Sequence, residues 1–185
     1  MTKSFLNNPA YANFPRGIRN NNIGNIRFSN ANNWVGKVPY SQNTDSGKAF
    51  EQFTHVHFGI RAKMVLIYNK INSGKNTIAK FISDYAPAFE NDTVGYINQV
   101  VSMTGIDKNA VIELNEDTLI AICKAICYVE NGAKYSAYIT DADYKDAIAV
   151  FDKPLKKKSK NNNTLIIAIA LLAVAVVIYK INKKK

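Results

Sequence analysis

EDTLIAICKAICYVENG, residues 116–132, is the stretch around which the rest of the chain arranges itself. After its first turn, Leu119, Ile120, Ile122, Cys123, Ile126, Cys127 and Val129 fall on nearly every side of a helix. A helix that is apolar all round is one that other helices surround. Asn115 is placed to cap its start, Glu116 and Asp117 favour its positive end, and Gly132 is a natural stop. The spacing therefore predicts a central buried helix over 116–129, with Glu130 in its last turn or at its cap. There the negative end of the helix dipole and the apolar surroundings both disfavour a charged carboxylate, as the task of a general acid requires. An exposed glutamate where the helix surfaces is the plainer alternative.

Working outward, the pattern from Phe58 to Ile71 is helical, and Thr77–Ala86 is a short helix with Ile78, Phe81, Ile82 and Tyr85 on one face, stopped by Pro87. Asp92 can cap a helix over Thr93–Thr104 with Gly105 just past its end. A last short helix covers about 141–150. Residues 23–53 differ, being rich in Asn, Gly and Ser. Their apolar pieces Ile26–Phe28, Trp34–Val38 and Ala49–Phe53 suit a small twisted sheet with turns at 30–33 and 44–47. Helices with one small sheet make an α+β pattern, mainly helical. The asparagine runs at 20–22, 32–33 and 161–163 fit a general compositional bias towards Asn, Ile and Lys.

The 185 residues carry 24 Lys+Arg against 14 Asp+Glu, a net charge of +10. All the acidic residues lie between Asp45 and Asp152, and the nine lysines beyond residue 152 face no acid, so the preceding part is close to neutral. A cationic face tracking nucleic acid is therefore not expected. Residues 165–179 read LIIAIALLAVAVVIY. This run of roughly 22 Å falls short of the about 30 Å hydrocarbon core, but Thr164, Ile181 and a snorkelling Lys180 extend it. Lysines flank it on both sides, which leaves orientation open. The sequence thus predicts an irregular arm at 1–14, a folded domain at 15–151, a basic linker at 152–163, a single C-terminal transmembrane helix at 164–181 and a basic tail at 182–185.

The string Arg16-Gly17-Ile18-Arg19-Asn20-Asn21-Asn22-Ile23-Gly24-Asn25-Ile26-Arg27 resembles the RGIRNNNPGNIR signature of lysozyme-like peptidoglycan-degrading proteins of phage virions and prophages. The resemblance continues through Trp34-Val35-Gly36, Phe50–Phe53, Gly59-Ile60-Arg61-Ala62, Thr77-Ile78, Ala86-Pro87, Glu90-Asn91-Asp92-Thr93, Tyr96 and Glu130-Asn131-Gly132. It covers about residues 15–135, with Ile23 standing where the family usually has proline. Glu130-Asn131-Gly132 looks like the catalytic element of lysozyme-like lytic transglycosylases, and Gly24-Asn25-Ile26-Arg27 looks like their strand motif. Their order is reversed, as in a circular permutation. Residues 1–19 contain no Glu or Asp, so no acid upstream of the strand motif can serve.

The resemblance implies a lysozyme-like fold and cleavage of the MurNAc–GlcNAc β-1,4 bond of peptidoglycan, with Glu130 as catalytic acid. Asn25, Arg27 and Tyr96 would face the glycan. Glu90 would line the cleft or hold a loop, and Asp45, in the expected sheet, stands where a hydrolase keeps its second carboxylate. A lytic transglycosylase needs only one, because the muramyl 6-hydroxyl attacks. The expected setting is the internal membrane of a phage virion, where the enzyme opens the wall during genome delivery beside other virion proteins. A non-catalytic virion membrane protein with a glycan-binding domain is the alternative. His55 and His57 lack a third ligand at useful spacing, so no metal is expected, nor any cofactor. Cys123 and Cys127 read as small core residues.

Overall fold

The computed structural model describes residues 3–89 and 92–157. Seven α-helices follow one another among them: α1 (Arg16–Arg19), α2 (Val56–Asn72), α3 (Ile78–Tyr85), α4 (Thr93–Thr104), α5 (Glu116–Asn131), α6 (Ala133–Ser136) and α7 (Asp141–Ala149). The helix starts are local and follow the expected chemistry. Thr77 Oγ1 accepts from the Lys80 amide, Asp92 Oδ1 from the Gly95 amide and Asn115 Oδ1 from the Thr118 amide. Gly105 ends α4 in the left-handed conformation, at φ +69°.

Helix α5 is the centre of the fold. Leu119, Ile122, Cys123, Ala125, Ile126 and Cys127 are all fully buried, packed among α1, α2, α4 and α6. Helix α2 is its long partner and is buried along most of its length, including Lys63 at 1 % exposure. Helix α7 packs against α2. The burial of both thiols pushes Cys127 up to about 12 and Cys123 higher still, so they behave as the small core residues the sequence implied.

The expected α+β architecture is corrected by residues 20–53. Among the described residues there is no multi-residue strand, and β pairing is limited to two isolated antiparallel bridges, Arg27 with Phe50 and Lys37 with Phe53. The chain still doubles back, but side chains hold it where a ladder was expected. Asn22 donates through Nδ2 to the Ile26 and Glu51 carbonyls and accepts from the Ile26 amide. Asn21 accepts from the Phe5 amide and donates to the Phe53 carbonyl and Ser4 Oγ. Asn20 donates to Asp45 and accepts from Gln52. All three asparagines are buried, at 2 %, 0 % and 0 % exposure. Side chains that bond backbone groups compete with the ladder, and left-handed backbone at Asn21 (φ +52°) and Asn25 (φ +47°) interrupts any strand. The asparagine run is thus a structural device rather than a compositional accident. It lies directly on α2, since a Cβ at Gly59 would stand 1.7 Å from the Asn21 carbonyl oxygen.

The expected membrane anchor is corrected as well. No helix among the described residues is long and apolar enough to cross a membrane. The span read at 164–181, the tail at 182–185 and the linker from 158 onward lie outside the described residues. The membrane location inferred from that span is thus carried by no helix among the described residues.

Candidate active site

Glu130 lies in the last turn of α5, half-buried. Its neighbour Asn131 fixes that turn: Asn131 Nδ2 donates to the Ile23 carbonyl at 2.8 Å and to the Cys127 carbonyl at 3.0 Å. The end of α5 is thereby tied to the loop that carries Gly24 and Asn25. Asn25, held in a left-handed conformation that asparagine tolerates better than most residues, donates Nδ2 to Glu130 Oε2 at 2.8 Å. Its Oδ1 is buried and has no hydrogen-bond partner. A buried acceptor left open beside a carboxylate is where a donor on a ligand would be held.

Two tyrosines complete the shell. Tyr85, from the last turn of α3, and Tyr96, from α4, reach Glu130 Oε1 at 3.1 and 3.2 Å, with their rings edge to face. Burial first, and then the neighbouring acid or phenol, push both phenols well above their ordinary range, so both keep their protons. The Tyr85 hydroxyl also lies 2.7 Å from the Gly24 carbonyl and accepts from Lys63 Nζ at 3.0 Å. Lys63 sits over the Tyr85 ring as well. Its burial draws the ammonium down to about 8, while the nearby Glu130 pulls the other way. Gly24 is needed for this packing, because a Cβ there would meet Lys63 Cε at 2.0 Å.

The proton inventory allows two complete states. Tyr85 has one hydroxyl proton and two acceptors in reach. Turned to Glu130, it joins Asn25 and Tyr96 as a third donor to an ionised carboxylate. Turned to the nearer Gly24 carbonyl, it leaves a lone pair to accept a proton carried by Glu130. The two states differ by one proton on Glu130 and one hydroxyl rotation. A group that must give up a proton and take one back needs such a shell.

Glu130 borders two cavities. One, of about 530 Å³, is lined by Arg16, Asn25, Arg27, Phe50, Lys63 and Tyr85 among others. The other, of about 630 Å³, includes Asp92, Tyr96, Gln99 and Tyr128. Together they suit an extended ligand lying across the acid.

Of the residues singled out in the sequence, Glu130, Asn25, Arg27 and Tyr96 are brought together. Asp45 is not: it lines a separate cavity of about 260 Å³ beside Asn20, to which it is hydrogen-bonded. Glu90 lies outside the described residues. Lys63, Arg16 and Phe50 were not foreseen, and Tyr85 was read only as an apolar helix position.

No family model matches the chain. Protein P5 of Pseudoalteromonas phage PM2 is 38% identical to it over 127 residues, which cover 66% of this chain and 75% of P5. On that identity and coverage, the chain belongs to the family of protein P5 of phage PM2.

Proposed function

We propose that the chain cleaves the β-1,4 bond between MurNAc and GlcNAc in peptidoglycan as a lytic transglycosylase, opening the host wall for a phage. Glu130 donates its proton to the glycosidic oxygen as the C1–O bond breaks. The muramyl 6-hydroxyl oxygen bonds to C1, and Glu130 takes back that hydroxyl's proton. The product is a 1,6-anhydro sugar, and no water is consumed. Asn25, Tyr85 and Tyr96 hold the carboxylate between the two steps, and the open Oδ1 of Asn25 accepts from a substrate hydroxyl or acetamido N–H.

The observation that carries this reading is the Glu130 shell at the junction of two cavities, able to satisfy the acid in either protonation state. The resemblance of residues 15–135 to peptidoglycan-degrading proteins supplies the substrate. One-acid chemistry is favoured over hydrolysis because the other described carboxylate lining these cavities, Asp92, is engaged as the cap of α4.

The test uses the full chain on purified peptidoglycan, with released muropeptides read by mass spectrometry. Anhydro products, lighter by one water than hydrolysis products, are expected, and Glu130→Gln lowers their release by about a hundredfold or more. Hydrated products would make the protein a hydrolase and send the search for a second carboxylate to Asp92 and Glu90. No release from a folded protein would sink the enzymatic reading in favour of a glycan-binding virion component.

A further inference from the structure

The two cavities that meet at Glu130 differ in charge. The first carries Arg16, Arg27 and Lys63; among the described residues, the second has no cationic residue in its lining. Arg16 and Arg27 are exposed, and among the described residues neither guanidinium pairs with a carboxylate. Both instead lie against one ring. The Arg16 Cζ is 4.2 Å and the Arg27 Cζ 5.5 Å from the centroid of Phe50. The antiparallel bridge between Arg27 and Phe50 holds that ring opposite the motif loop. Arg16 opens α1 directly after Pro15, whose ring restricts the backbone there.

Stacking on an aromatic face orients a guanidinium and leaves its in-plane N–H groups free. Two such groups, unneutralised and facing the same cavity, make a receptor for a carboxylate, which a guanidinium binds through two parallel hydrogen bonds. The sugar rings carry no charge, and in intact peptidoglycan the lactyl carboxyl of each stem-bearing muramyl residue is tied up as an amide. The carboxylates of peptidoglycan belong to the peptide stem attached to the muramyl lactyl group.

We infer that Arg16 and Arg27, arranged on Phe50, form a subsite for the carboxylates of the peptide stem, so that the cleft selects peptide-bearing over naked glycan. The inference rests on the proposed reaction for its substrate and deepens it. It also orients the strand, since the peptide-bearing sugar lies on the Arg16 side of Glu130 and not on the Tyr128 side.

The experiment compares the full chain, the double variant Arg16→Gln/Arg27→Gln and Glu130→Gln on two substrates. One is intact peptidoglycan; the other is the same material stripped of its peptides by an amidase, with the freed lactyl carboxyls capped as methylamides. The double variant is expected to lose at least about tenfold more in release from intact peptidoglycan than from the stripped glycan, where Arg27 still faces the sugars. Equal losses on both substrates, or no loss on the intact one, would overturn the subsite. If the unsubstituted chain cuts neither substrate, the reaction fails, and binding then decides the subsite alone. A disaccharide-tripeptide must bind the full chain more tightly than the disaccharide whose lactyl carboxyl is capped as the methylamide, and the double variant must erase that preference. No preference in the unsubstituted chain would overturn the subsite independently of catalysis.

Discussion

A buried ammonium beside the catalytic candidate costs the fold stability. Lys63 is 1 % exposed and, among the described residues, bonds to a neutral phenol alone, with Glu130 near but not paired to it. Its folded value of about 8 stands below the ordinary 10.5, so the charged form is disfavoured by folding. The unfolded chain then binds more protons than the native one between these two values, and the cost is full below about 8 and fades as pH rises towards 10.5. At neutral pH it amounts to about 3 kcal/mol. Lys63→Met, which keeps the length and drops the charge, is expected to stabilise the protein at pH 7. The gap between variant and parent should shrink by about 2 kcal/mol between pH 7 and pH 9.5 in urea unfolding. A pH-independent gap would show that the native state holds the Lys63 proton as tightly as the unfolded chain does. A cation kept at this cost in the wall of the cleft fits the reaction proposed for Glu130, in which it would face the carboxylate left by proton delivery.

At the scale of elements, the helices were legible because their signals are local. Thr77, Asp92 and Asn115 cap the helices they precede, and Gly105 and Gly132 end two of them. Glu130 could be placed because it ends an all-apolar helix. The sheet was misread because apolar pieces at strand spacing say nothing about who satisfies the backbone. That partner lies far away in sequence: Asn22 serves Glu51, and Asn21 serves Phe53. Lys63 was hidden for a related reason, since its contacts with Gly24 and Tyr85, both distant in sequence, are what show that it turns towards the cleft. The asparagine loop makes a sharp prediction. Asn22→Ala strands the Ile26 amide and the Glu51 carbonyl and leaves the Ile26 carbonyl with the Glu51 amide alone, and is expected to cost about 2–4 kcal/mol in denaturant unfolding. Asn33→Ala, at an exposed position, should change stability by no more than about 0.5 kcal/mol. Similar costs at the two positions would refute the scaffold role of the run.

At the scale of the whole molecule, the arm that precedes α1 is irregular in backbone yet built into the core. Phe5 is 2 % exposed and packs edge to face on Tyr11, which in turn meets Phe14. Phe14 then touches Tyr135 and Tyr138 beyond the end of α5. The Lys3 carbonyl accepts from the Val56 amide at the start of α2, and the Lys3 ammonium pairs with Asp143 of α7 at 3.0 Å. The arm therefore joins the start of α2, the asparagine loop and the segment after Glu130, three regions distant in sequence. A fold whose site is assembled from both ends of its chain depends on that joint. Phe5→Ala should cost about 3–5 kcal/mol, which for a domain of this size lowers Tm by about 10 °C. The expected accompaniment is faster amide exchange at both α2 and residues 133–140, because the aromatic chain couples them. A drop below about 2 °C, or exchange that quickens at one region only, would mean that the arm merely lies on a domain already complete without it.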